Sequence, residues 1–118
     1  MVTAFCAEWG VGTPESIAAY FSEDAVYHNI PMPPLIGKAA ILDFLHGFIG
    51  TFGRIDFTIH HQAMVGDTVL NERTDRFMLG EKRIELPVMG TFEVRDGKIV
   101  AWRDYFDMGQ FTAMNQEA

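Results

Sequence analysis

Three short stretches place acids, an arginine and hydrogen-bonding side chains where strand alternation would turn them to one side. Residues 68–79 carry Val69, Asn71, Arg73, Asp75 and Phe77 at alternate positions. Residues 98–106 carry Val100, Trp102, Asp104 and Phe106 in the same way, and in residues 25–30 Tyr27 and Asn29 share a face while His28 points away. Side chains two apart on a strand point the same way, so apolar ends bracket a polar centre. A carboxylate on a buried face must be paired, hydrogen-bonded or neutralised. Two aspartates near one arginine can divide the work. The guanidinium forks to both, and like charges in an apolar setting keep a proton on one while its neighbour stays ionised. That yields a general acid and a general base from one residue type.

Each feature alone has an ordinary explanation. An Arg–Asp pair on a strand is commonly an ion pair on a solvated face. Asp104 is also consistent with a cap or turn near the strand end, and Tyr27 with a core ring whose hydroxyl is satisfied. Chemistry becomes the better explanation only when the three stretches are taken together.

The elements that must position these residues are legible from pattern. Residues 2–9 read as a helix stopped by Gly10 and Gly12. Thr13-Pro14-Glu15-Ser16 opens a second helix, with Thr13 as cap and Pro14 at the first helical position, ahead of an apolar run from Ile17 to Phe21. Residues 25–30 are extended and end at Pro31, Pro33 and Pro34, which favour an extended rim loop. Residues 38–52 are the clearest helix: Ile41, Leu42, Leu45, Phe48, Ile49 and Phe52 recur at steps of three and four, and Gly53 ends it. Strands follow at 55–65, 68–79, 83–94 and 98–106, with turns at Gly66-Asp67 and Asp96-Gly97. The strand at 83–94 has a wholly apolar face of Leu86, Val88, Gly90 and Phe92. The tail from Asp107 suits a short helix. Helices first and antiparallel strands after is an α+β plan. A curved sheet wrapped around the long helix would leave a pocket, and a cone-shaped α+β barrel is the expected shape.

Composition narrows the function classes. The 118 residues, 48% hydrophobic and 21% charged, suit one folded domain over 1–118. A net charge of −7 without a basic run argues against a nucleic-acid partner. The single cysteine, Cys6, precludes an intrachain disulfide and reads as a small buried apolar residue. No stretch approaches the ~20 apolar residues of a membrane span. The start, MVTAFCAEWG, has neither the basic region nor the apolar run of a signal peptide, so the cytoplasm is the expected address. His60 and His61 are neighbours on a strand and are expected on opposite faces. His28 and His46 have no partner at ligand spacing, so no metal site is expected. There is no nucleophile elbow and no phosphate-binding glycine loop.

The stretches Tyr27-His28-Asn29-Ile30-Pro31, Asn71-Glu72-Arg73-Thr74-Asp75, Leu86-Pro87-Val88-Met89-Gly90 and Trp102-Arg103-Asp104-Tyr105-Phe106-Asp107, in that order, resemble the limonene-1,2-epoxide hydrolase family. The resemblance spans roughly residues 13–107. It implies a curved mixed sheet forming a cone-like half-barrel, with helices around it, a deep apolar pocket and a homodimer. It also implies hydrolysis of an epoxide to a vicinal diol in one step, with water as nucleophile and no covalent intermediate, metal or cofactor. By the same resemblance Asp75 is the acid, Arg73 the bridge between the carboxylates, Asp104 the base, and Tyr27 and Asn29 the groups that help hold the water. Phe48, Phe52, Phe57 and Phe77 are expected as pocket walls, with Leu86, Val88, Trp102 and Phe106. Their bulk, and a first helix that looks abbreviated, point to a smaller or flatter epoxide than that of limonene.

Two other functions remain open on the residues alone. One is a ketosteroid isomerase-like or polyketide cyclase-like enzyme of the same fold, using one aspartate as an enolising base. The arginine between two aspartates speaks against it, because a lone carboxylate base has no use for that bridge. The other is a non-catalytic ligand-binding module, which has no need of two buried aspartates.

Overall fold

The β-turns set the path of the chain. Asp96 and Gly97 both have positive φ (52° and 75°), the backbone of a two-residue turn whose twist matches that of the strands it joins. Two-residue turns, the other two with positive φ at Gly66 and Gly80 alone, connect four strands: β3 (Asp56–Val65), β4 (Thr68–Leu79), β5 (Lys82–Arg95) and β6 (Lys98–Tyr105). Ahead of them come α1 (Val2–Val11), α2 (Pro14–Ala18), β1 (Phe21–Asn29), β2 (Leu35–Ile36) and α3 (Lys38–Phe52), and α4 (Met108–Gln116) follows. The computed structural model describes residues 1–116. The strands form one open sheet in the order β2-β1-β6-β5-β4-β3. β1 runs parallel to β6 and every other pairing is antiparallel, so this is a curved mixed sheet of an α+β fold.

The helices cover the concave face. Phe5, Cys6 and Trp9 of α1 and Ile41 and Leu45 of α3 are buried there. Phe5 stands edge-on to Trp102 at 5.0 Å and to Phe21 at 5.4 Å, which fixes α1 against β1 and β6. Thr13 caps α2 through its side chain, and Ser16 bonds back to it, completing a capping box. No helix among the described residues is long and apolar enough to cross a membrane.

Pattern and structure differ where the backbone is irregular. α1 continues through Gly10 to Val11, and Gly12 is its cap, with its N–H bonded to Glu8 O. β1 starts at Phe21 rather than residue 25, because Phe21 pairs with Ile99 of β6 across a register shift. β2, only two residues long and directly after the prolines, has no periodicity to reveal it; it pairs with Val26 and Tyr27. A register shift between Glu93 and Val94 lets Ile99, not Val100, take the buried position below Trp102. A third shift, between Ile59 and His61, brings His60 to Thr74 Oγ1 (2.7 Å) and His61 to Glu72 Oε1 (2.8 Å). Both histidines therefore lie on the outer face. The expected opposition fails because a bulged residue breaks the two-residue period.

Candidate active site

Three adjacent strands bring the polar residues into one row. On β4, Asn71, Arg73, Asp75 and Phe77 alternate inward and are all buried. The register sets Asn71 opposite Gly90 of β5, and Gly90 opposite Asp104 of β6. Gly90 has no left-handed φ, so its backbone does not require glycine. Space does: a Cβ there would collide with Arg73 Nη1 and come within 2.7 Å of Asp104 Oδ1. The missing side chain is the gap through which Arg73 reaches across β5 to Asp104. On the other side of β6, the parallel register sets Tyr27 beside Trp102 and Asn29 beside Asp104.

All five guanidinium N–H groups of Arg73 have acceptors. Nε and Nη2 fork to Asp75 Oδ1 and Oδ2 at 3.0 and 2.9 Å. Nη1 and Nη2 fork to Asp104 Oδ1 and Oδ2 at 3.2 and 2.8 Å. Nη1 also donates to Asn71 Oδ1 at 3.0 Å. Burial works against the Arg73 charge, but Asp104 and Asp75 outweigh it and hold its pKa well above the ordinary value. Its Cζ lies 4.6 Å from the centre of the Phe57 ring, a cation–π contact. The reading of Arg73–Asp75 as a solvated surface pair is thereby overturned: the arginine side chain is fully enclosed and the Asp75 side chain is 10% exposed.

The two carboxylates sit in unlike surroundings. Asp104 accepts three bonds, the third from Trp102 Nε1 at 2.7 Å. Among the described residues Asp75 accepts only the pair from Arg73. Burial pushes Asp75 up to about 6; the Arg73 bonds and charge pull it down without cancelling that, and the Asp104 charge adds to the rise. Burial likewise pushes the Tyr27 hydroxyl well above its usual range, so it stays a neutral phenol, and it donates to Asn29 Oδ1 at 3.3 Å. The buried Cys6 thiol is pushed up to about 12, which leaves it inert as a nucleophile.

These groups open onto a cavity of about 260 Å³ between α3 and the sheet. Asp75, Asp104, Tyr27 and Asn29 lie on its wall. So do Phe48, Phe52, Phe57 and Phe77, together with Leu86, Val88 and Phe106. Two expected residues do not. Arg73 lies behind the carboxylates it joins. Trp102, expected as a wall, is fully buried beneath the cavity, because the rings of Tyr27 (4.2 Å, 6°) and Phe92 (5.2 Å, 18°) lie flat against it. Pattern also missed lining residues. Phe44 was within reach, being one turn ahead of Phe48 on α3. Trp9 of α1 and Phe111 of α4 reach the cavity only through tertiary packing. Asn71, noted only as part of a face, proves to be the neutral acceptor that completes Arg73. Among the described residues no three His, Cys, Asp or Glu side chains gather as a metal-binding group.

Comparison with known proteins places the chain in a family. Residues 3–116 match the sequence profile of the limonene-1,2-epoxide hydrolase catalytic domain. The chain belongs to the limonene-1,2-epoxide hydrolase family. It is 36% identical over 94 residues to epoxide hydrolase EphG of Mycobacterium tuberculosis; the match covers 80% of this chain but only 62% of that relative's length. A solved limonene-1,2-epoxide hydrolase-like enzyme from M. tuberculosis superposes with a TM-score of 0.86 at 33% identity, covering 96% of this chain and 84% of the other. A putative polyketide cyclase from Xanthomonas campestris pv. campestris superposes with a TM-score of 0.82 over 96% of this chain and 92% of the other. At 21% identity that second likeness is one of fold alone.

Proposed function

We propose that this member of the family hydrolyses a small, flat, apolar epoxide to a vicinal diol in one step. The observation that carries the reading is a buried Arg73 shared by two carboxylates with unlike hydrogen-bond surroundings, at the wall of an apolar cavity.

An epoxide is strained but has a poor leaving oxygen, and water at neutral pH is a poor nucleophile. Asp75, whose pKa burial raises to about 6, gives its proton to the ring oxygen from its protonated form as the C–O bond breaks. Asp104, oriented by three donors, takes a proton from water as the water oxygen bonds to the ring carbon. Tyr27 occupies the carbonyl of Asn29, which frees the Asn29 amide to donate to that water. Water adds its oxygen and one hydrogen to carbon, and the ring oxygen receives the Asp75 proton, so the diol is complete. Asp104 is left protonated and Asp75 ionised, and one proton returns between them through the water that refills the pocket. The acid and the base each contribute on the order of 10²–10⁴-fold. Fixing water and ring in line adds an orientational share.

Substrate size follows from the cavity. At about 260 Å³ it lies below the range usual for drug-sized ligands, and the rings of Phe48, Phe52, Phe57 and Phe77 give it flat walls. Family membership brings with it the expectation of a cytoplasmic homodimer, which sedimentation of the purified chain would check. The one-step route is tested by a single turnover with enzyme in excess in ¹⁸O-water. Direct attack puts ¹⁸O into the first diol formed. Attack through a carboxylate ester would put unlabelled aspartate oxygen there instead, and that result would refute the one-step route.

A further inference from the structure

A carboxylate has about four lone-pair positions, two on each oxygen. On Asp104, Oδ1 accepts from Arg73 Nη1 at 3.2 Å and from Trp102 Nε1 at 2.7 Å, which fills both of its positions. Oδ2 accepts only from Arg73 Nη2 at 2.8 Å, which leaves one open. We propose that Trp102 is a positioning residue that makes Oδ2 of Asp104 the atom that takes the proton from water. The proposal rests on the hydrolase reading of the site.

The geometry makes Trp102 suited to this and to nothing more direct. Its side chain is fully buried, so it cannot touch substrate. It lies two residues before Asp104 on β6, hence on the same face, with its Nε1 directed to the carboxylate. Its ring is clamped between Phe92 and Tyr27, with Phe5 edge-on at 5.0 Å. One rigid indole therefore fixes both the base and the plane of the phenol beside the water. The bond is not an automatic result of burial. Trp9 is also buried, and its Nε1 has no partner. Without the Trp102 donor, Oδ1 and Oδ2 would each keep one Arg73 bond and one open position, and the carboxylate would lose its preference for presenting Oδ2.

The test separates the N–H from the ring. Replacing Trp102 with 3-benzothienylalanine exchanges the N–H for sulfur and keeps the bicyclic ring and the stack. The expected result is a fall in kcat of about 10- to 100-fold, the weight of a hydrogen bond to a charged group, with KM little changed. Replacement with 5-fluorotryptophan, which keeps the N–H, should restore kcat. Trp102→Phe is the second variant and should show the same selective loss of kcat if the bicyclic replacement does not fold. Full kcat in a variant lacking the N–H would overturn the role of Trp102 and leave the hydrolase reading standing. So would a loss confined to KM, which is a change of pocket shape. A folded wild type that forms no diol from any epoxide would overturn both.

Discussion

At the scale of single residues, the proposed mechanism depends on neighbouring groups making two identical side chains unlike. Asp104 accepts from three donors and is the base of the proposed mechanism. Asp75, with fewer donors and a buried position, holds its proton up to about pH 6. The sign of the pH dependence follows. The pKa is raised, and the proposed acid must be protonated to act, so the active form is half present at about pH 6, nearly complete a unit below, and lost as pH rises through that value. kcat/KM, which reports the free enzyme, should bend near pH 6, level off below about pH 5 as far as Asp75 governs it, and fall about tenfold per pH unit well above 6. A profile of kcat/KM that stays flat from pH 6 to 9 would show that Asp75 is not the acid. Arg73 itself does no proton transfer. With its pKa held far above neutrality it is a fixed cation over the whole working range.

At the scale of elements, the decisive arrangement is the row Asn71, Gly90 and Asp104 across β4, β5 and β6. Gly90→Ala puts a methyl where Arg73 Nη1 and Asp104 Oδ1 already meet. Overpacking of this kind destabilises by about 1–3 kcal/mol, so we expect a lower Tm and a loss of activity larger than any change in KM. An alanine variant with unchanged kcat and Tm would mean that Arg73 does not need the gap. The inward set of β4 was legible because twelve residues of uninterrupted antiparallel strand keep a two-residue period. α3 was legible because its apolar steps of three and four have glycine at both ends. The depth of Trp102, the shared side of His60 and His61, and the exchange of Ile99 for Val100 were not. The first depends on rings brought in from β1 and β5, and the other two on bulges that leave no mark in residue pattern. Trp9 and Phe111 escaped notice for a related reason: a helix pattern tells which face is apolar, not which cavity that face overlooks.

At the scale of the whole molecule, the open sheet and its covering helices enclose a small, mostly apolar cavity. Helices α1, α3 and α4 each place an aromatic ring on its wall: Trp9, Phe44 and Phe111 among them. A cavity of about 260 Å³ so lined should accept cyclohexene oxide and aryl epoxides and reject fused steroid epoxides. Comparable kcat/KM for cyclohexene oxide and a steroid epoxide would contradict that size limit. The central claim is the division of labour between two aspartates, and one assay tests it most directly. Diol formation from a panel of small epoxides is measured for the wild type beside Asp75→Asn and Asp104→Asn, with folding checked by thermal melting. We predict diol from the wild type and a loss on the order of 10²–10⁴-fold in each variant. A folded wild type that yields no diol, or either variant turning over at the wild-type rate, would contradict it.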